Sequence, residues 1–329
     1  MQKQPFYITK SGTIKRKDNT VYFENEDLKK VIPVHAIDSL YCLGEVSINS
    51  KLLAFLAKEK INVHFFNYYG YYAGTFYPRE SLVSGTLLVQ QVAFYQDPEK
   101  RLSLARRFVQ ATIQNLVRIL EHYRKHGKDV KPVMENLLQL IEKSKECVSI
   151  PELMQIEGSA WEKYYGTYEL IIDGFEFEKR TRKPPQNEIN CLMSFLNSLL
   201  YTVTVSEIYH TQLNPTISYL HEPFERRFSL ALDLSEMFKP LIVQRCILTL
   251  LNKKIIQDKH FRHDLKSCLL NEEGRTIVLR EFDSRLKLAV DHPALKRPVS
   301  YRRLIRLEAY KLMKHLLGDR EYDPFVMWW

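Results

Sequence analysis

The sequence predicts an α+β protein, with a small β-sandwich-like domain over residues 1–85 followed by a larger all-α domain over residues 86–329. Three observations carry this. Up to about residue 85, short runs of β-branched and aromatic residues alternate with Gly, Asn and Asp, the pattern of hairpins. Beyond Arg79 the apolar residues step by three and four instead. A chain of 329 residues with 45% hydrophobic and 12% aromatic content can also bury two cores.

The elements follow in order. Phe6-Tyr7-Ile8 is a strand that stops at Ser11-Gly12, and Thr13–Arg16 pairs back across Asp18-Asn19 with Val21-Tyr22-Phe23. Val31–Leu43 is more strand, where Pro33 marks an edge or an interruption. Asn49-Ser50 caps a short helix over Lys51–Glu59, and the aromatic hairpin YYGYYAGTFYP follows the apolar strand Ile61–Asn67. A linker lies within 78–98. A long helix then runs from Glu99 to His126, opened by Asp97-Pro98 and closed by Gly127. Its stripe is Leu102, Ala105, Val109, Ile113, Leu116, Leu120 and Tyr123, with Arg101, Arg106, Arg107 and Arg118 off it. Further helices are expected over Pro132–Lys145, from Pro151, over Asn190–Leu213 and over Leu241–Asn252, the last begun or kinked by Pro240.

Charge and cysteine usage narrow the class. The 48 Lys and Arg against 39 Asp and Glu leave a net charge of +9, which favours a polyanionic partner. The five cysteines are scattered, odd in number and never in a CxxC pair, which speaks against a disulfide framework or a zinc ribbon. The N-terminus has no apolar leader and no run approaches the roughly 20 apolar residues of a membrane span, so the expected location is the cytoplasm.

The chemistry concentrates in Leu220–Pro240. Asp233 and Glu236 stand three apart in an otherwise largely apolar stretch, so a helix points both carboxylates the same way. Burial makes two such charges repel and lose hydration, and something positive must neutralise them. His221, twelve residues upstream, can fold back over that helix. Carboxylates with one imidazole suit a hard or borderline divalent cation, Mn2+ or Mg2+. Glu157 lies within the stripe Met154, Trp161, Tyr164, Tyr168, either buried against a partner or reaching water at the stripe's edge. Gly158 beside it implies close approach of another element.

Two further groups bear on a polyanion. Lys179, Arg180, Arg182 and Lys183 precede a double proline, and Arg302 and Arg306 share a helix face; all six are candidate phosphate contacts or plain surface charge. His260 and His263 have zinc-like spacing but no third ligand nearby in sequence, which reads as solvated surface.

The segments SGTIKRKDNTVYF, Ile156-Glu157-Gly158 with its aromatic-rich helix, RKPPQNEIN, NPTISYLHEP and SLALDLSEMFKP, in this order and spacing, resemble the CRISPR-associated endonuclease/integrase that inserts new spacers into the repeat array. The resemblance spans essentially the whole chain and is nearest to type I systems. It implies an N-terminal β-sandwich used for homodimerisation and a helical catalytic domain with one Mn2+ or Mg2+. It places the ligands at Glu157, His221 and Glu236, with Asp233 as a supporting acid in the catalytic group. It further implies double-stranded and branched DNA as substrate and a small ferredoxin-like adaptation protein as partner. Two positions depart from the family pattern: Ser218 stands where many members have Gly, and Glu236 where some have Asp. The rival readings are a non-catalytic basic DNA-binding scaffold, in which His221, Asp233 and Glu236 are a buried hydrogen-bonded network, and a metal-dependent hydrolase of small molecules.

Overall fold

The computed structural model describes residues 3–182, 184–224, 227–264 and 266–329. Lys183, one of the candidate phosphate contacts, lies outside them. The chain divides into two compact units, Met1–Ser81 and Leu82–Trp329.

The first unit holds two four-stranded sheets. Strands β1 (Gln4–Ile8), β5 (Ile37–Cys42), β7 (Asn62–Phe66) and β8 (Tyr72–Phe76) make one, in the order β1-β5-β7-β8. The pairs β1–β5 and β5–β7 are parallel and β7–β8 antiparallel. The other sheet runs β4-β3-β2-β6, from β2 (Gly12–Lys17), β3 (Thr20–Glu24), β4 (Lys29–Pro33) and β6 (Val46–Ile48). Pro33 closes the edge strand, where its missing N–H costs the ladder nothing. Asp18 takes φ 52° at the β2–β3 turn, a conformation that Asp tolerates better than most side chains. Ile14, Val21, Phe23 and Ile32 from one sheet meet Ile8, Ile37, Leu40 and Val63 from the other in one core. The helix α1 (Ser50–Lys58) adds Leu52, Phe55 and Leu56, and Asn49 caps it by accepting from the Leu52 N–H. The sandwich expected from the alternating pattern is present.

The second unit is helical: α2 (Gly85–Gln96), α3 (Pro98–Lys125), α4 (Lys131–Glu146), α5 (Ile150–Tyr165), α6 (Tyr168–Ile171), α7 (Glu188–Tyr209), α8 (Ser229–Glu236), α9 (Arg245–Asn252), α10 (Glu272–Lys287) and α11 (Tyr301–Leu316). Asp97 caps α3 by accepting from the N–H groups of Glu99 and Lys100, and Gly127, at φ 80°, ends it. The expected stripe is buried from Ala105 to Leu120, but Leu104, Phe108, Ala111, Thr112, Asn115 and Ile119 are buried as well, because other helices cover α3 on more than one side. Between α8 and α9, Pro240–Gln244 forms a π-helical turn. Proline has no N–H for the carbonyl four residues back, which here is that of Glu236, so the helix loosens directly after a candidate ligand.

One expectation needs correction here. The helical unit also carries two antiparallel hairpins, β9 (Phe261–Asp264) with β10 (Ser267–Leu270) and β11 (Ala289–His292) with β12 (Arg297–Ser300). Four-residue strands carry too few alternations for a period to show in sequence. Helix α7 is, by length and composition, apolar enough to cross a membrane, although its apolar residues are interrupted by Ser, Thr and Asn. Of its apolar window, 89% is buried inside the unit, where it serves as the core helix.

Candidate active site

Helix α8 presents Asp233 and Glu236 to the interior, as their spacing requires. Asp233 is fully buried and accepts hydrogen bonds on both oxygens. Its Oδ2 takes the N–H groups of Tyr219 (2.6 Å) and Leu220 (3.0 Å), and its Oδ1 takes the N–H of His221 (2.9 Å). The same Oδ1 lies 2.9 Å from His221 Nδ1. One carboxylate therefore folds the 219–221 backbone and sets the imidazole. With Nδ1 donating to Asp233, Nε2 is the ring atom that can present a lone pair.

The loop carrying His221 is pinned from its other sides too. Arg101 of α3 donates Nε to the Tyr219 carbonyl (2.9 Å) and pairs with Glu222 (2.7 Å), and Tyr95 of α2 donates to Glu222. Gln91 of α2 exchanges two hydrogen bonds with the Asn214 backbone. Ser218, in place of glycine, is buried and donates its hydroxyl to the His221 carbonyl at 2.6 Å. It is not among the described residues with positive φ, so the serine meets no backbone penalty.

Glu157 reaches the site from α5, where Ser149 caps the helix and Trp161, one turn on, donates its indole N–H to Glu157 Oε1 at 3.1 Å. Trp161 and Tyr164, with Tyr165, Tyr168 and Phe177, form a packed aromatic wall. Gly158 is exposed, and a Cβ built on it meets nothing within 4 Å, so close approach does not explain that glycine. The structure offers no reason for it.

Electrostatics couple these groups. Burial first, and then the Glu236 carboxylate, push Glu157 up to about 7, and the two carboxyls lie within hydrogen-bond reach of each other. Burial alone would raise Glu236 too, but the Lys239 ammonium and the His221 imidazole outweigh it and hold Glu236 below the ordinary carboxylate range. Burial alone would lower His221, yet the hydrogen bond and charge of Asp233, with Glu236, overcome it and hold the imidazole up at about 9. Lys239, one turn beyond Glu236, pairs with Glu236 Oε1 and sits 5.9 Å from the Trp161 ring. It is the positive partner that the paired carboxylates demand, and its place three residues after Glu236 was readable as an i,i+3 pair.

The four candidate residues thus come together from α5, α8 and one loop. Glu236 Oε2 is buried and accepts no hydrogen bond among the described residues. An orphaned carboxylate oxygen beside a second carboxyl and an imidazole is a donor set that fits a hard or borderline divalent cation. The donor atoms of Glu157, His221 and Glu236 are not among the trios within 4.8 Å of one another, and Lys239 holds one Glu236 oxygen meanwhile.

The basic candidates separate. Lys179 and Arg182 are exposed. Arg180 turns inward, donating to Asn190 Oδ1 (2.9 Å) and Ser194 Oγ (3.0 Å), and so fastens the 179–182 segment to α7. Arg302 and Arg306 do share a face of α11, but each donates its Nε at 2.6 Å to Glu207, a carboxylate buried in α7. They are neither an open phosphate patch nor a solvent face. Their spacing showed the shared face, and only packing showed what stands opposite.

Comparison with known proteins identifies the family. Residues 6–284 match the family model described as CRISPR associated protein Cas1. The CRISPR-associated protein Cas1 1 of Methanobrevibacter ruminantium is 50% identical over 330 residues, covering all of both chains. The chain belongs to the Cas1 family. The CRISPR-associated endonuclease Cas1 of Methanocaldococcus jannaschii is 49% identical over 329 residues, again covering both chains fully. Among solved structures, a Cas1 protein from Thermotoga maritima superposes with a TM-score of 0.89 at 41% identity, over 98% of this chain and all of that one. The family named by the sequence resemblance is therefore the right one, as are the β-sheet N-terminal unit and larger helical unit expected of it.

Proposed function

We propose that this Cas1 family member is a divalent-metal-dependent DNA endonuclease and integrase, which inserts new spacer DNA into a CRISPR array. The observation that carries the reading is the orphaned Glu236 Oε2 beside Glu157 and His221. Three donor residues from separate elements converge there, and Asp233 already orients the imidazole. A network built for stability alone would not press a second carboxyl against a buried one, which weighs against the scaffold reading. The relatives of nearly 50% identity over full length include one named as an endonuclease.

In this reading Glu157, His221 and Glu236 hold Mn2+ or Mg2+, and the ion supplies Lewis-acid polarisation of the scissile phosphate. Asp233 keeps Nδ1 of His221 engaged and Nε2 directed at the ligand side. Trp161 steadies Glu157 and helps wall off water. The 3′-hydroxyl of a captured fragment attacks the repeat phosphodiester in line and displaces one strand; water attacking instead gives cleavage. Exposed Lys179 and Arg182 contact phosphates, with Lys183 beside them in sequence, and make binding salt-sensitive. The N-terminal sandwich serves homodimerisation, and a small ferredoxin-like adaptation protein joins the dimers.

The test mixes the protein with branched DNA carrying a free 3′ end, with and without Mn2+, for wild type, Glu157→Ala and His221→Ala, beside a DNA-binding assay. Metal-dependent strand transfer or cleavage, lost in both variants while binding persists, is expected. Full activity in either variant sinks the ligand assignment, and tight binding without any activity favours the scaffold.

A further inference from the structure

His263 is exposed, as expected, and it also meets ligand-type groups from elsewhere in the chain. Its Nε2 lies 3.4 Å from Glu188 Oε1, in the first turn of α7, and 3.1 Å from Asp258 Oδ1. Across the β9–β10 hairpin its register partner is Cys268, which is fully buried. Donor atoms of Glu188, His263 and Cys268 all lie within 4.8 Å of one another, the trio of this kind found among the described residues. Cys191, three residues after Glu188 on α7, neighbours the Cys268 thiol but stands outside the trio, because its sulphur is not within 4.8 Å of all three donor atoms. His260 belongs elsewhere: it is buried, its Nδ1 accepts from the Gln257 N–H, and it faces Glu273.

His263 Nε2 carries at most one hydrogen, so it can serve only one of the two carboxylates that face it. A divalent ion would hold the Glu188 carboxylate, the imidazole and the buried sulphur together. Zinc bonds of about 2.0–2.3 Å in a tetrahedron put ligand atoms about 3.3–3.8 Å apart, and the 3.4 Å between Glu188 and His263 is such an edge. Thiolate with imidazole selects zinc-class ions over the Mn2+ or Mg2+ suited to the carboxylate site. The frame is also in place without an ion, since the Cys268 N–H donates to the Pro185 carbonyl at 2.8 Å and ties β10 to the segment leading into α7.

We propose that Glu188, His263 and Cys268, with water in the fourth position at the open His263 side, form a site for a zinc-class ion that rivets the β9–β10 hairpin to the start of α7. This inference is independent of the catalytic reading. No single sequence window holds the ligands, which come from positions 188, 263 and 268.

The test titrates Co2+ into the full-length, reduced, chelator-treated protein and reads the thiolate-to-cobalt charge-transfer absorption. Wild type is expected to show it, and Zn2+ to abolish it by displacement. Cys268→Ser and His263→Ala should lose it, and Cys191→Ser and Glu157→Ala should keep it, with circular dichroism checking that each variant is folded. No sulphur charge transfer in the wild type overturns the site, as does a band that survives Cys268→Ser. A band lost in Cys191→Ser but kept in Cys268→Ser overturns the ligand set. A Cys191–Cys268 disulfide that reforms and blocks Co2+ under reducing conditions also overturns the proposal.

Discussion

Replacing Asp233 with Asn changes almost no volume, yet it should measurably destabilise the helical unit. In the wild type each oxygen of Asp233 accepts two hydrogen bonds, from Tyr219 N and Leu220 N on one side and from His221 N and Nδ1 on the other. Asparagine has one acceptor oxygen, which can keep the Tyr219 and Leu220 bonds. Its NH2 group then faces the His221 side, where the imidazole can move its proton to Nε2 and accept at Nδ1, but the His221 backbone N–H is left unserved. One orphaned donor costs about 1–3 kcal/mol, so the substitution should cost about 2 kcal/mol. For a unit of this size about 1 kcal/mol moves the melting temperature by about 2–4 °C, which gives a fall of about 4–8 °C. All three tryptophans (161, 328 and 329) lie in the helical unit, so tryptophan fluorescence follows that transition without interference from the sandwich. Loss of the carboxylate behind His221 should also weaken Mn2+ binding by about 10–100-fold, the usual effect of removing such a partner. A variant that melts within about 2 °C of wild type refutes the accounting for the carboxylate, because a shift that small corresponds to less than about 1 kcal/mol. Unchanged Mn2+ affinity would refute its role in orienting the imidazole.

Three other outcomes follow from the same contacts. In the metal-free protein His221 is held up at about 9 against an ordinary 6.5, so its stabilisation is full below pH 6.5 and is lost as pH rises through 9; urea midpoints between pH 6 and 9.5 in chelator should fall for wild type and flatten for His221→Ala, and a flat wild-type profile counts against the His221–Asp233 pairing. The double substitution Arg302→Ala, Arg306→Ala strands the buried Glu207 and should cost about 3–5 kcal/mol by denaturant unfolding, largely recovered when Glu207→Leu is added, while the salt dependence of DNA binding stays as in wild type. A salt slope reduced by about two phosphate contacts would instead return those arginines to the DNA. Gly274→Ala drives a Cβ to 2.4 Å from the His260 carbonyl oxygen, a backbone atom with little room to yield, and should destabilise α10 against its neighbours by about 1–3 kcal/mol; a neutral variant would mean that the contact relaxes freely.

Local chemistry made much of this protein legible in its sequence. Asp97-Pro98 and Gly127 bracket α3 because a cap and a left-handed stop act on their immediate neighbours. Alternation at Ile14, Val21 and Phe23 set the inner faces of the sandwich for the same reason. The Asp233–Glu236 spacing likewise announced an acidic helix face, and His221 was near enough in sequence to be joined to it. Through its motif order the sequence also determined the family. What only the tertiary structure decided are the pairings between residues far apart in the chain: Arg302 and Arg306 on Glu207, Arg101 on the His221 loop, and His263 beside Glu188 and Cys268. A charged side chain looks the same in sequence whether it faces water, DNA or a buried carboxylate. Its use is fixed by the desolvated partner that packing brings opposite, and that partner lies outside any local window.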